Sequence, residues 1–380
     1  MDARMAWGWL EQLLGAALIT ITLVDVFYTV LHARSHIGVI SDRVARLTWG
    51  GFEWVGDRLP KQRRGRFLTY MGPVILLLIA VVWILALTLG SALIIHPHLG
   101  TAVKALHTEE QPTDFITALA VGSHSIVVLS ENNFNPESDG AKLFFIFTAT
   151  AGLIVTTLTL TYIMHVYTGL QARDALGLEL HLLGDETDDA AELLARLGAG
   201  GHLGENLNEL SQIGSQLVKV EESYHHYPVL FFYRFSEPYY AVSSMALVSL
   251  DTAALIKTAL DTAEYGWIKQ SAALTQLERG AKRLLKTLLN AFLGGPPDPP
   301  PVPTAEMQAR WRARYHAAVG RLEAAGLHTV ADPAAGAAAY AALRGEWHYL
   351  VEAIAPHLGY TMAEIDPAGD AVELRIVQAV

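Results

Sequence analysis

The sequence predicts an all-α membrane protein whose first half lies in the bilayer and whose second half is a cytosolic helical bundle. Three observations predict it. Hydrophobic residues make up 52% of the 380, more than an ordinary soluble enzyme carries. Most of them fall before residue 170, in runs long enough for a bilayer, which takes about 20 residues at ~1.5 Å rise each. After residue 170, leucines recur at helical spacing without an alternating strand-helix pattern.

Composition also excludes function classes. A formal charge of −11 argues against a nucleic-acid binder, which gathers lysine and arginine into a basic surface. The absence of cysteine rules out disulfides, thiolate metal sites and cysteine nucleophiles. No glycine-rich phosphate loop follows a strand and no paired metal-ligand spacing is found. No enzyme activity, catalytic residue, cofactor or metal is therefore expected.

The first predicted span covers residues 7–31. Trp7 and Trp9 open it as interfacial anchors, and it is too long for the apolar core of a signal peptide. Asp25 lies inside it and should face protein, a threonine or an arginine, rather than lipid. A structural hydrogen bond and a part in gating are both open to it. The connector that follows carries Arg34, Arg43, Arg46, Arg58, Lys61, Arg63, Arg64 and Arg66. Positive charge marks a cytoplasmic loop, which puts the N-terminus outside and the C-terminus inside. Within it, Val44, Leu47, Trp49, Phe52, Trp54, Val55 and Leu59 form an amphipathic helix for the inner membrane face.

The second span covers residues 67–95 and ends at His96-Pro97-His98, surface histidines or a weak metal pair. The third covers 143–167. Thr150, Thr157, Thr161, His165 and Thr168 recur along it at steps of 7, 4, 4 and 3, one helical face. Such a stripe either lines a water-filled cavity or bonds its own and neighbouring helices. Glu109, Glu110, Asp114, Glu131, Glu137 and Asp139 surround the loops before it, either as a negative vestibule that gathers cations or as ordinary solvated charge.

The stretch from Asp114 to Leu170 resembles the pore half of a potassium-channel family protein. FITAL (115–119) opens the pore helix, Pro136-x-Ser138 closes the outer mouth, and Gly152 matches the inner-helix glycine. DVFYTVLHARS (25–35), ESYHHYPVLFFYRF (222–235) and SLDTAALI (249–256) also resemble a bacterial branch of that family, so the likeness covers about residues 10 to 290. The resemblance implies three transmembrane helices, one re-entrant pore helix and loop over 114–138, a transmembrane pore domain over 1–174, and a homotetramer passing cations. Where the family writes threonine-threonine-valine-glycine-tyrosine-glycine-aspartate, this chain has Val127, Val128, Leu129, Ser130, Glu131, Asn132 and Asn133. Selectivity for potassium rests on the carbonyls of that strand, so altered or weak selectivity is expected. Glu131 would form a carboxylate ring, or turn aside to bond His124 or Ser125. Gly152, Thr157, Thr161 and His165 would line the inner cavity.

Residues 175–293 read as a cytosolic helical domain, 294–303 (GGPPDPPPVP) as a stiff linker, and 304–380 as a C-terminal helical segment. The run YAVSSMALVSLDTAALI reads as a buried core helix, with a fourth membrane crossing as the alternative. Glu222, His225, His226 and Asp251 are either a metal or sensor site or a capped helix joint. Thr304 caps a helix whose Trp311, Tyr315, Val319 and Leu322 share one apolar face.

The sequence thus predicts a multi-pass protein of the cell inner (plasma) membrane that works as a tetrameric cation pore. The alternatives are a non-conducting scaffold or sensor with a channel fold, and a membrane-tethered protein whose helical part binds a cytosolic partner.

Overall fold

The structure, a computed structural model, describes residues 3–32, 38–106, 111–127 and 134–367. Val128, Leu129, Ser130, Glu131, Asn132 and Asn133 lie outside the described residues, as do Glu109, Glu110 and the last thirteen, 368–380.

Helices dominate. In chain order they are α1 (Ala3–Val26), which ends in a π-helical turn at Phe27–Leu31, α2 (Val39–Gly56), α3 (Lys61–Leu68), α4 (Met71–Ile95), α5 (Phe115–Val127) and α6 (Asp139–Leu183). Then come α7 (Ala190–Leu197), α8 (Leu207–His226), α9 (Val242–Thr258), α10 (Thr262–Lys269), α11 (Ala272–Phe292), α12 (Ala305–Ala324), α13 (Pro333–Gly345), α14 (His348–Ile354) and α15 (Met362–Ile365). Among the described residues the only sheet is the antiparallel pair β1 (Val103–Ala105) and β2 (Phe134–Pro136), with Lys104 opposite Asn135.

Among the described residues three helical stretches are long and apolar enough to cross a membrane: Trp7–Leu31, Arg63–His98 and Asp139–Leu183. The third outruns its sequence prediction. No proline interrupts residues 168–183, and Leu176 and Leu180 are buried along one side, so α6 continues past both residue 167 and the expected boundary at 174.

The chain divides into two compact units, residues 1–51 with 73–165, and 52–72 with 166–380. In the first, α1 and α4 approach closely through glycines. A Cβ on Gly15 would lie 2.5 Å from the Gly90 carbonyl oxygen, so both positions need the smallest residue for backbones to meet, as membrane helices commonly do. An apolar core of Ala92, Ile95, Leu99, Val103, Ala118 and Val121 seats α5, with Phe144 and Phe145 packed against it.

In the second unit α9 is the centre. Sixteen of its residues are buried and only Lys257 is not, because α7, α11, α13, α14 and α15 pack around it. That is the core-helix reading of YAVSSMALVSLDTAALI; α9 is not among the spans long and apolar enough for a bilayer. The amphipathic α8 buries Leu210, Ile213, Leu217, Val220 and Tyr224, an i, i+3, i+4 stripe, along α11. Helix starts are set by side chains that accept the first free amides. Asp189 accepts from Ala191 N, Asp261 from Glu264 N, Ser271 from Leu274 N and Thr304 from Met307 N.

Candidate functional site

The site expected from sequence centres on α5. Asp114 starts this helix by accepting from Thr117 N (3.0 Å) and Thr117 Oγ1 (2.8 Å), and those bonds hold its carboxyl below the usual carboxylate range. Two glycines then let neighbouring backbones touch the helix. A Cβ on Gly122 would sit 3.0 Å from both Ala92 N and the Thr88 carbonyl oxygen, and one on Gly152 of α6 would sit 2.2 Å from the Ile126 carbonyl oxygen. Gly152 is thus a packing contact against the end of α5. Val127 is the last residue of α5 and is exposed; the remaining filter positions lie outside the described residues. Ser125 Oγ donates to the Gly122 carbonyl (2.8 Å).

Thr150, Thr157, Thr161, His165 and Thr168 all lie on the exposed side of α6. Three of them bond the helix itself. Thr150 Oγ1 donates to the Ile146 carbonyl (2.8 Å), Thr161 Oγ1 to the Thr157 carbonyl (2.9 Å), and His165 Nδ1 to the Thr161 carbonyl (2.9 Å). Intrahelical bonding satisfies these groups in an apolar setting without a partner helix.

Asp25 faces protein, and among the described residues its partners are a serine, a tryptophan and backbone amides. It accepts from Ile40 N (2.7 Å), Ser41 N (3.2 Å), Ser41 Oγ (2.5 Å) and Trp83 Nε1 (2.8 Å). An anion there meets the free amides at the start of α2, where the helix dipole also favours it. The carboxylate ties α1 to α2 and α4. His96 and His98 likewise find partners in α1, Glu11 (2.8 Å) and Gln12 (3.0 Å). Among the described residues no group of three histidine, aspartate or glutamate side chains comes close enough to hold a metal.

A second constellation lies in the second unit. Asp251 of α9 is completely buried. Its Oδ1 accepts from Tyr340 OH (2.5 Å) and Arg344 Nη1 (3.0 Å), and its Oδ2 from Arg314 Nε and Nη2 (2.9 Å each). Asp366 bridges the same two arginines, taking Arg314 Nη1 on Oδ1 (2.6 Å) and Arg344 Nη2 on Oδ2. Asp189 lies 3.4 Å from Arg314 Nη2. Burial works against the charge on both guanidinium groups, yet the carboxylates, Asp251 first, hold both pKa values above the ordinary arginine range. Beside them burial, reinforced by Arg344, pushes the His348 imidazole down to about 4.

Glu222, His225, His226 and Asp251 are not brought together as a metal set. Glu222 and His226 form a 3.5 Å contact at the surface, while Asp251 is taken up by its arginines.

No protein-family profile matches the chain and no solved structure matches it. The uncharacterized membrane protein YdjJ of Bacillus subtilis (strain 168) is 23% identical over 297 residues, 75% of this chain and 81% of that protein. This chain is a membrane protein. The potassium-channel resemblance rests on the sequence motifs themselves.

The sequence reading missed Arg314, Tyr340, Arg344 and Asp366. Two signals were present. Asp251 interrupts a run of apolar residues, and an acid in such a place requires a buried partner. Arg314 stands between Trp311 and Tyr315, on the apolar face of α12 rather than its solvent side.

Proposed function

We propose that this membrane protein is a tetrameric cation pore of altered or weak selectivity. The observation that carries the reading is α5. It has 13 residues, about 20 Å of helix and too short for a hydrocarbon core of about 30 Å. It is seated by Gly122 and Gly152 against the backbones of α4 and α6, and it ends at the residues where the channel family carries its filter. In this reading residues 114–138 re-enter the membrane from outside, α6 lines the path, and Glu131 sets four carboxylates around the axis. Such a ring suits hydrated cations better than dehydrated potassium. The glycines that a carbonyl ladder needs are replaced by Ser130 and Asn132, and serine reaches left-handed angles only with strain.

Reversal potentials in reconstituted bilayers with mixed potassium and sodium, with and without calcium, test the proposal. Weak discrimination in the wild type and a changed current in Glu131→Gln are expected. Strong potassium selectivity, or an unchanged mutant current, would refute the carboxylate ring; no current at all would favour a non-conducting scaffold or sensor. The membrane arrangement proposed with it is three spans in a plasma membrane, N-terminus outside and C-terminus inside. Cleavage of the basic connector by protease added to intact cells would reverse that arrangement.

A further inference from the structure

The second unit has a cavity of about 150 Å³ at the edge of the buried charge network. Arg314, Arg344, His348 and Trp311 line it, and the Trp311 and His348 ring centroids lie 5.1 Å apart. Two of these groups are incompletely bonded. Arg344 is fully buried and His348 is only 8% exposed, yet Arg344 Nε and His348 Nδ1 have no hydrogen-bond partner among the described residues. A buried polar atom left without a partner costs about 1–3 kcal/mol, so two beside one cavity are unusual in a settled core.

The chemistry of an occupant follows from what is unpaired. Arg344 Nε carries a hydrogen and no free electron pair, so it can meet only an acceptor. Arg310, one turn before Arg314, also lines the cavity and forms no ion pair among the described residues. The lining therefore holds three guanidinium groups, Arg310, Arg314 and Arg344, against two acids, Asp366 and the exposed Glu352. Asp366 and Asp251 already meet Arg314 and Arg344, so Arg310 is the guanidinium of the lining with no carboxylate bonded to it among the described residues. The remaining wall is apolar and adaptable: the indole, Met307 and Met362. A cavity of about 150 Å³ accommodates a body the size of benzene, roughly six heavy atoms.

We infer that this cavity binds a small monocarboxylate with an apolar body, its carboxylate toward Arg344 Nε and Arg310 and its body against Trp311 and the two methionines. The inference concerns the second unit alone and stands whether or not the protein conducts.

The test is titration calorimetry on the full chain in lipid nanodiscs, at matched ionic strength, with sodium butyrate, butyramide and sodium phosphate. Butyrate should saturate one site per chain and bind at least about tenfold tighter than its neutral amide, the ratio a charge-assisted bond supports. It should also bind tighter than phosphate, which has no apolar body. Arg310 is a half-exposed surface residue, so Arg310→Gln should leave the unliganded melting temperature unchanged while weakening butyrate by about tenfold or more. Arg310→Lys should recover part of that loss. Absence of saturable butyrate heat, equal binding of butyramide or of phosphate, or unchanged butyrate affinity in Arg310→Gln would each overturn the inference.

Discussion

Asp251 accepts from a tyrosine and two arginines with no exposure to water, and its value to the fold lies in what its removal leaves behind. In Asp251→Ala, Arg314 and Arg344 would keep their charges with Asp366 as the only close carboxylate common to both among the described residues. Breaking a buried pair from one side costs about 3–5 kcal/mol, well above the ~1 kcal/mol of an average point mutation. A large fall in the melting temperature of the purified protein is therefore expected, and a change of a degree or two would show that the network contributes little. His348 adds a pH dependence of definite sign. Folded, its imidazole is held near 4; unfolded, it returns to about 6.5. As pH falls below 6.5 the unfolded chain takes up a proton that the folded chain refuses. Stability from this group is thus present above pH 6.5, is lost down to about pH 4, and changes no further below that. The full shift corresponds to about 3 kcal/mol at most. Melting curves between pH 7.5 and 4.5 should fall more steeply for the wild type than for His348→Gln; parallel curves would remove His348 as the cause.

At the scale of elements, α5 and α6 depend on contact more than on hydroxyl chemistry. Gly152→Val would put a branched side chain where even a Cβ lies 2.2 Å from the Ile126 carbonyl oxygen. Overpacking of this kind costs about 1–3 kcal/mol, because backbone cannot yield as a flexible side chain can. Gly140, at the start of the same helix, has open space around it, so Gly140→Ala serves as the control. Thr161→Ala removes a bond that the helix makes with itself and should cost only a few tenths of a kcal/mol. Thermal melts of the three variants in one detergent should rank them with Gly152→Val far below the other two. A Gly152→Val protein as stable as Gly140→Ala would show that α5 does not rest on α6 there.

At the scale of the whole molecule, the exposed side of α6 is what a single chain leaves unexplained. It mixes Leu153, Leu160 and Met164, each more than 60% exposed, with the threonine and histidine stripe. A lipid-facing helix has no need of that stripe, whereas copies arranged about an axis would turn it toward a shared path. On the proposed reading one pore segment per chain would need four chains to frame such a path, with cyclic symmetry closing the ring. Native mass measurement should find four copies per particle; two would exclude the arrangement.

The sequence by itself determined the helical class, the three apolar stretches, the burial of the α9 run, the Thr304 cap and the apolar face of α12. Each of these depends on residues near one another in the chain, where helical period, apolar length and capping chemistry are written locally. Asp25 was legible as an acid that must face protein, but its partners Ser41 and Trp83 were not. The union of Asp251 with Arg314, Tyr340, Arg344 and Asp366 was decided only in three dimensions, since α9 meets α12, α13 and α15 across more than fifty residues of chain. Likewise, Gly152 reads as a cavity-lining position until the Ile126 carbonyl is found against it. A charge or a glycine states a requirement, and only the fold determines which distant residue meets it.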